Sequence, residues 1–172
     1  MLTKGQGSDI ISMKRENESR RIESRIEVQA YIARLVYAIE NGNATVNFQR
    51  NRQVDSNRNK KHTNRYTISE LFPDGDEIEA IKSELRSLKA EEYIETMKDI
   101  RYPKKTEMRV FGRKYLEKDV YIKIRVELIS VDHASGGSYI FVMSFHFSEI
   151  DFKEEDFPYR KNRGEKNEKN KE

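Results

Sequence analysis

Apolar residues recur at helical spacing early in the chain. Val28, Ile32, Leu35, Val36 and Ile39 fall at i, i+4, i+7, i+8 and i+11, which predicts a helix with one apolar stripe. Ile22 and Ile26 extend a weaker stripe backwards, so the helix is expected from about Asn17 to Glu40. Asn41-Gly42 offers the left-handed residue that ends a helix. Alternation takes over at Thr45–Phe48, a short strand. Arg50 to Arg65 shows no apolar pattern. Thr67 or Ser69 can cap a short turn bearing Ile68, Leu71 and Phe72, closed by Pro73-Asp74-Gly75. Ile78, Ile81, Leu85 and Leu88 mark a second helix, with Asp76, Glu77 and Glu79 at the end that the helix dipole makes positive. Continuing that stripe would bury Glu92, so a break is expected near Ser87–Lys89. A short third helix carrying Tyr93, Ile94 and Met97 should follow, ending at Tyr102-Pro103.

The remainder reads as strand. Met108–Phe111 is brief and is expected to stop at Gly112. From Val120 to Ile129 the alternation is cleanest: Val120, Ile122, Ile124, Val126 and Leu128 share one side, and Tyr121, Lys123, Arg125 and Glu127 the other. DHASGG supplies a turn, and Tyr139–Phe147 returns with Tyr139, Phe141, Met143, Phe145 and Phe147 on one side. Matching the apolar sides of an antiparallel hairpin requires an odd index sum, because a one-residue slip inverts every side chain. A sum of 267 sets Tyr121 opposite His146, Lys123 opposite Ser144, Ile124 opposite Met143 and Val126 opposite Phe141; 265 and 269 remain open. The fold class is α+β, with N-terminal helices packed on a small antiparallel sheet.

Charge changes this picture in its details. Charged residues make up 37% of the 172 and hydrophobic ones 35%, polar for a single core, yet nine Tyr and eight Phe exclude a wholly disordered chain. Residues 1–16 read as a flexible terminus, 17–159 as one domain, and 160–172 (KNRGEKNEKNKE beyond Arg160) as a disordered charged tail. Phe152, Phe157 and Tyr159 should pack back on the body. The net charge of +3 does not by itself indicate a nucleic-acid binder, so segregation must carry that argument. Arg50–Arg65 supplies it: six Lys or Arg and His62 against the single acid Asp55. The absence of Cys excludes disulfides, thiolate zinc sites and a Cys nucleophile. No run of about 18 apolar residues indicates a membrane span. A cytoplasmic location is expected.

Candidate chemistry gathers on the polar side of the hairpin, where the register collects Tyr121, His146, Lys123, Ser144 and Arg125. Lys and Arg can hold a phosphate while His or Tyr moves protons. The same face also reads as an ordinary solvated sheet surface. His62 and His133 add no metal-ligand spacing, no carboxylate cluster supports a metal, and no cofactor motif is present.

Several strings carry a resemblance. EEYIETM, MRVFGRKY, DVYIKIRVEL and IFVMSFHF are similar to the C-terminal half of the MqsR family, and LVYAIENGNATVNFQRNR resembles that family's first helix, Gly stop and basic strand. Those proteins are toxins of toxin–antitoxin pairs, with a RelE-like fold, that cleave mRNA. The similarity covers roughly Gln29 to Phe147. Tyr121 and Lys123 match the Tyr and Lys of the family's VYLK-like strand. His146 stands at a catalytic Lys, Glu95 at a further Lys and Gly112 at a Gln, so the family pattern is departed from at three positions.

The resemblance implies metal-independent attack of the RNA 2′-hydroxyl on its own 3′-phosphate. Tyr121 and His146 would transfer protons, Lys123 or Arg125 stabilise phosphate charge, and Arg50, Arg52, Lys60 and Lys61 hold the strand. Glu95 is an alternative base. The expected partners are RNA (mRNA, free or on the ribosome) and a cognate antitoxin, with no membrane and no cofactor. The alternative is a non-catalytic RNA-binding or protein-interaction module of the same fold from a mobile element. A third reading is an assembly partner working through the charged helix Asn17–Glu40.

Overall fold

The computed structural model describes residues 17–41, 44–128 and 137–160. The expectations for residues 1–16, Gly42, residues 132–136 of the DHASGG turn with His133, and the tail beyond Arg160 lie outside the described residues.

The chain runs β1 (Glu18–Arg21), α1 (Arg25–Glu40), β2 (Ala44–Phe48), α2 (Asn64–Leu71), α3 (Glu77–Arg86), β3 (Tyr93–Asp99), β4 (Met108–Tyr115), β5 (Lys118–Leu128) and β6 (Ser138–Phe147). The fold is α+β, but the sheet is larger and more mixed than expected. Six strands lie in the order β1-β3-β4-β5-β6-β2, and β2 runs parallel to β6 while the other pairs are antiparallel. Nor are the helices gathered at the N-terminus, since α2 and α3 fall between β2 and β3.

The first helix begins at Arg25 rather than near Asn17. Ser24 Oγ accepts from the Glu27 amide at 3.3 Å, and the Glu27 carboxylate accepts from the Ser24 amide at 2.7 Å. This reciprocal cap starts the helix abruptly and frees Glu18–Arg21 to pair antiparallel with β3 as an edge strand. Val28, Tyr31, Leu35 and Ala38 are buried, whereas Ile22 and Ile26 are exposed, so the weaker stripe packs nothing. Asn41 ends α1 at φ −80°, without a left-handed residue of its own. Thr63, not Thr67 or Ser69, caps α2.

The segment expected as a third helix is β3. A register shift lies between Tyr93 and Glu95, and the extra residue makes Tyr93, Ile94 and Met97 imitate helical spacing. Glu92 is not buried in the core but held at its margin by Arg113, which donates through Nε at 2.7 Å. Gly112 does not stop β4, which continues to Tyr115. A Cβ there would lie 2.6 Å from a ring carbon of Phe152, so glycine is what admits the returning segment. Phe157 is buried and Tyr159 stacks on Tyr93 at 6.2 Å, as the C-terminal aromatics suggested. β4 turns into β5 through Leu116 and Glu117, both at positive φ (49° and 66°), the backbone of a tight two-residue hairpin.

The core fills the helix side of the sheet. Leu35, Ile81, Leu85, Phe111, Ile122, Ile124, Ile140, Val142 and Phe145 are all wholly enclosed, each aliphatic contributing about 1.5–3 kcal/mol by leaving water. The long hairpin reaches this arrangement by a route the odd-sum argument did not allow. Val120 to Lys123 pair at sum 267, with Tyr121 opposite His146 and Lys123 opposite Ser144. Beyond Lys123 the register shifts, setting Ile124 opposite Val142 and Val126 opposite Ile140. Met143 is the extra residue. Ile140 and Val142 therefore face the core, and Tyr139 and Phe141 join the opposite side.

Asn64 fixes that bulge. Its amide nitrogen donates to the carbonyls of Gln49 (2.7 Å) and Met143 (3.0 Å), and its oxygen accepts from the Phe145 amide at 2.9 Å. Thr67 Oγ1 accepts from the Phe147 amide at 2.8 Å. Past the end of β2 at Phe48, the outer edge of β6 is thus paired from α2 instead of from a strand.

Candidate functional site

Strand pairing places the candidate residues in rows on the side of the sheet away from the helices. One row runs Gly112, Tyr121, His146; the next runs Glu95, Val110, Lys123, Ser144. The Tyr121 and His146 rings stack at 5.5 Å with 23° between their planes. His146 is only 7% exposed, and its Nδ1 lies 3.0 Å from the Phe147 carbonyl oxygen. A carbonyl can only accept, so Nδ1 carries the proton and Nε2 the lone pair of the neutral ring.

The basic loop crosses this face. The Gln49 amide donates to the Val142 carbonyl at 3.1 Å, and Arg52 Nη1 then donates to Ser144 Oγ at 3.1 Å. Arg58 pairs through Nε with Glu149 at 2.8 Å, while its buried Nη1 has no hydrogen-bond partner among the described residues. On the other flank β1 supplies counter-charge. Glu18 lies 3.6 Å from Lys123 Nζ, and Arg20 bridges Glu18 (3.5 Å) and Glu95 (3.0 Å).

Burial dominates the electrostatics. Desolvation pushes the Tyr121 phenol well above the ordinary tyrosine range, with the Glu95 carboxylate adding to the shift. His146 is held below its ordinary value by burial, opposed by its Phe147 contact and reinforced by the Arg58 and Arg52 cations. Lys123 is also lowered, by burial against the opposing pull of Glu18, with Arg52 contributing. Arg52 is lowered by desolvation and by Arg58; the residue as a whole is exposed, so that desolvation belongs to the guanidinium end at Ser144. The face therefore holds a neutral imidazole, a protonated phenol and closely spaced cations.

Tyr121, His146, Lys123, Glu95, Arg52 and Arg125 thus come to one face. Arg125 lies over the Phe141 ring at 4.9 Å. Arg50 does not join them: its guanidinium pairs with Glu77 at the start of α3, at 3.0 Å. Lys60 and Lys61 are exposed in the 3-10 turn Lys60–His62, which docks on the end of β6 through His62 Nδ1, 3.0 Å from the Phe147 carbonyl. Arg58, Glu18 and Arg20 were not singled out from sequence, whereas Ser144 was already placed on this face by the hairpin register. Arg58 lay within the basic stretch, but nothing in the local pattern separates it from its neighbours.

Beside Lys123 the face sinks into a cavity of about 270 Å³. Arg52, Arg101, Lys105, Lys123 and Arg125 line it against the acids Glu18 and Asp99, with Met97, Met108, Met143 and Phe141 as its apolar part. Among the described residues no group of three or more His, Cys, Asp or Glu could hold a metal ion, and no helix is long and apolar enough to cross a membrane. No protein-family model, curated protein or solved structure matches the chain.

Proposed function

We propose that this protein is a cytoplasmic endoribonuclease of the toxin–antitoxin kind, acting on mRNA and neutralised by a cognate antitoxin. The observation that carries the reading is the neutral-held His146 stacked on Tyr121, with Arg52, Arg58 and Lys123 around the pair. In the proposed step His146 Nε2 takes the proton of the RNA 2′-hydroxyl, and the 2′-oxygen attacks the adjacent phosphorus. The bond from phosphorus to the 5′-oxygen breaks, and the Tyr121 phenol protonates that leaving oxygen. The product is a 2′,3′-cyclic phosphate and a free 5′-hydroxyl. Lys123, Arg52 and Arg58 stabilise charge on the phosphate, and the cavity beside Lys123 accepts a flanking nucleotide.

One observation favours a second reading, RNA binding without cleavage. His146 is nearly enclosed, and Lys123 and Glu95 are engaged by Glu18 and Arg20. Incubating purified protein with end-labelled RNA separates the two. Cleavage to cyclic phosphate, reduced about 10²–10⁴-fold by His146→Ala and by Tyr121→Phe, supports the enzyme. Intact RNA, retained by the native protein but not by Arg52→Glu/Arg58→Glu, supports the binding module. RNA neither cut nor retained overturns both.

A further inference from the structure

The helix side of the sheet holds a second cavity, of about 590 Å³, between α1 and the ends of β3, β4 and β5. That volume falls in the range typical of small-molecule sites. Its walls are rings and aliphatic surface: Tyr31, Val126 and the 70%-exposed Tyr37. Its rim carries Arg34, Lys98 and Arg109.

These cations are not equivalent. Arg109 donates to the buried Glu23 carboxylate at 2.7 Å and lies over the Tyr31 ring at 4.4 Å, so its charge is compensated within the fold. Glu107, the acid that lines the cavity, is held by Arg21 at 2.9 and 3.1 Å. Arg34 and Lys98 have no acidic partner among the described residues. Among the described residues, two cations without an acidic partner thus stand over an apolar, ring-lined floor.

We propose that this cavity binds a small organic anion, a carboxylate or phosphate monoester carried on an apolar ring-containing body. The ring packs against Tyr31, Tyr37 and Val126, and the anionic group is held by the Arg34 fork and the Lys98 ammonium. The site lies on the opposite side of the sheet from His146 and Tyr121, so it stands or falls independently of the RNA reading.

Isothermal titration of the full chain with 2-naphthyl phosphate tests it. The expected result is saturable one-to-one binding, weakened by on the order of tenfold or more in Arg34→Ala/Lys98→Ala and in the milder Arg34→Gln/Lys98→Gln. Uncharged 2-naphthol should bind at least as weakly as the phosphate binds those variants, and Arg52→Ala/Arg58→Ala should leave binding unchanged. No saturable heat, native affinity retained in both rim variants, or loss of binding in the Arg52/Arg58 variant overturns the proposal.

Discussion

The two sides of the one sheet are built by different physics. On the helix side, Ile122, Ile124, Ile140, Val142 and Phe145 reach zero exposure by packing against apolar stripes of α1, α2 and α3. On the other, His146 and Ser144 are buried as well, at 7% and 1%, but their partners are the Tyr121 ring and Arg52 of the basic loop. Apolar burial is non-directional and tolerates small shifts. Polar burial requires each donor and acceptor to be matched. The first side should therefore set stability, and the second should set pH response and chemistry.

The sharpest way to break that division is at Phe145. Phe145→Ala removes an enclosed ring from the helix side and is expected to lower stability by about 3–5 kcal/mol, whereas His146→Ala next to it should cost far less. Chemical denaturation of both variants checks this, and equal losses would erase the distinction. Asn64→Ala comes next, at about 1–3 kcal/mol, because it strands the Met143 carbonyl and the Phe145 amide. Its amide exchange should rise specifically around Met143–Phe145, and a uniform rise across the sheet would show that Asn64 does not hold the bulge. Gly112→Ala should cost roughly 1–3 kcal/mol by forcing the Phe152 ring aside; limited proteolysis after residue 148 should become faster, and unchanged cleavage would refute the contact.

The pH response should separate the sides further. His146 is lowered from its ordinary 6.5 in the folded state. Between that lowered value and 6.5 the unfolded chain binds the extra proton, so stability rises with pH across this window and falls as pH drops through 6.5. His146→Gln should remove that segment of slope in melting temperatures taken from about pH 8 to about pH 5. Glu23 acts in a lower window. Burial raises its carboxyl, but Arg109 and Thr96 outweigh burial and leave it below 4.5, so its contribution is present above 4.5 and lost beneath it. The smallest effect is at the hairpin turn. Leu116→Asn with Glu117→Gly relieves two positive-φ residues and should raise stability by roughly 1 kcal/mol or less; a lower melting temperature would contradict the turn geometry.

What the sequence revealed follows the same division. The α1 stripe, the second helix and the β5 alternation were legible because each buries one side by local periodicity. Ser24 and Glu27 spelled out a capping box, and that signal would have kept Glu18–Arg21 out of the helix. The two bulges hid the rest: an extra residue after Tyr93 turned a strand into an apparent helix, and Met143 inverted half of β6. Tyr121, Lys123 and His146 were placed correctly because they lie on the near side of Met143. Arg50 and Arg58 could not be told apart within the basic stretch, since the partners Glu77 and Glu149 that distinguish them lie far along the chain.

The parallel seat of β2 beside β6 also fixes an order of events in time. Arg52 meets Ser144 across 92 positions, and Asn64 meets Met143 across 79. Contacts so distant close late, after local helices and hairpins have formed. On a translating ribosome the loop bearing Arg52 and Arg58 has nothing to dock on until β6 emerges. Until that part of the chain is made, Arg52 and Arg58 lack the Ser144 and Glu149 partners that hold them in the folded protein.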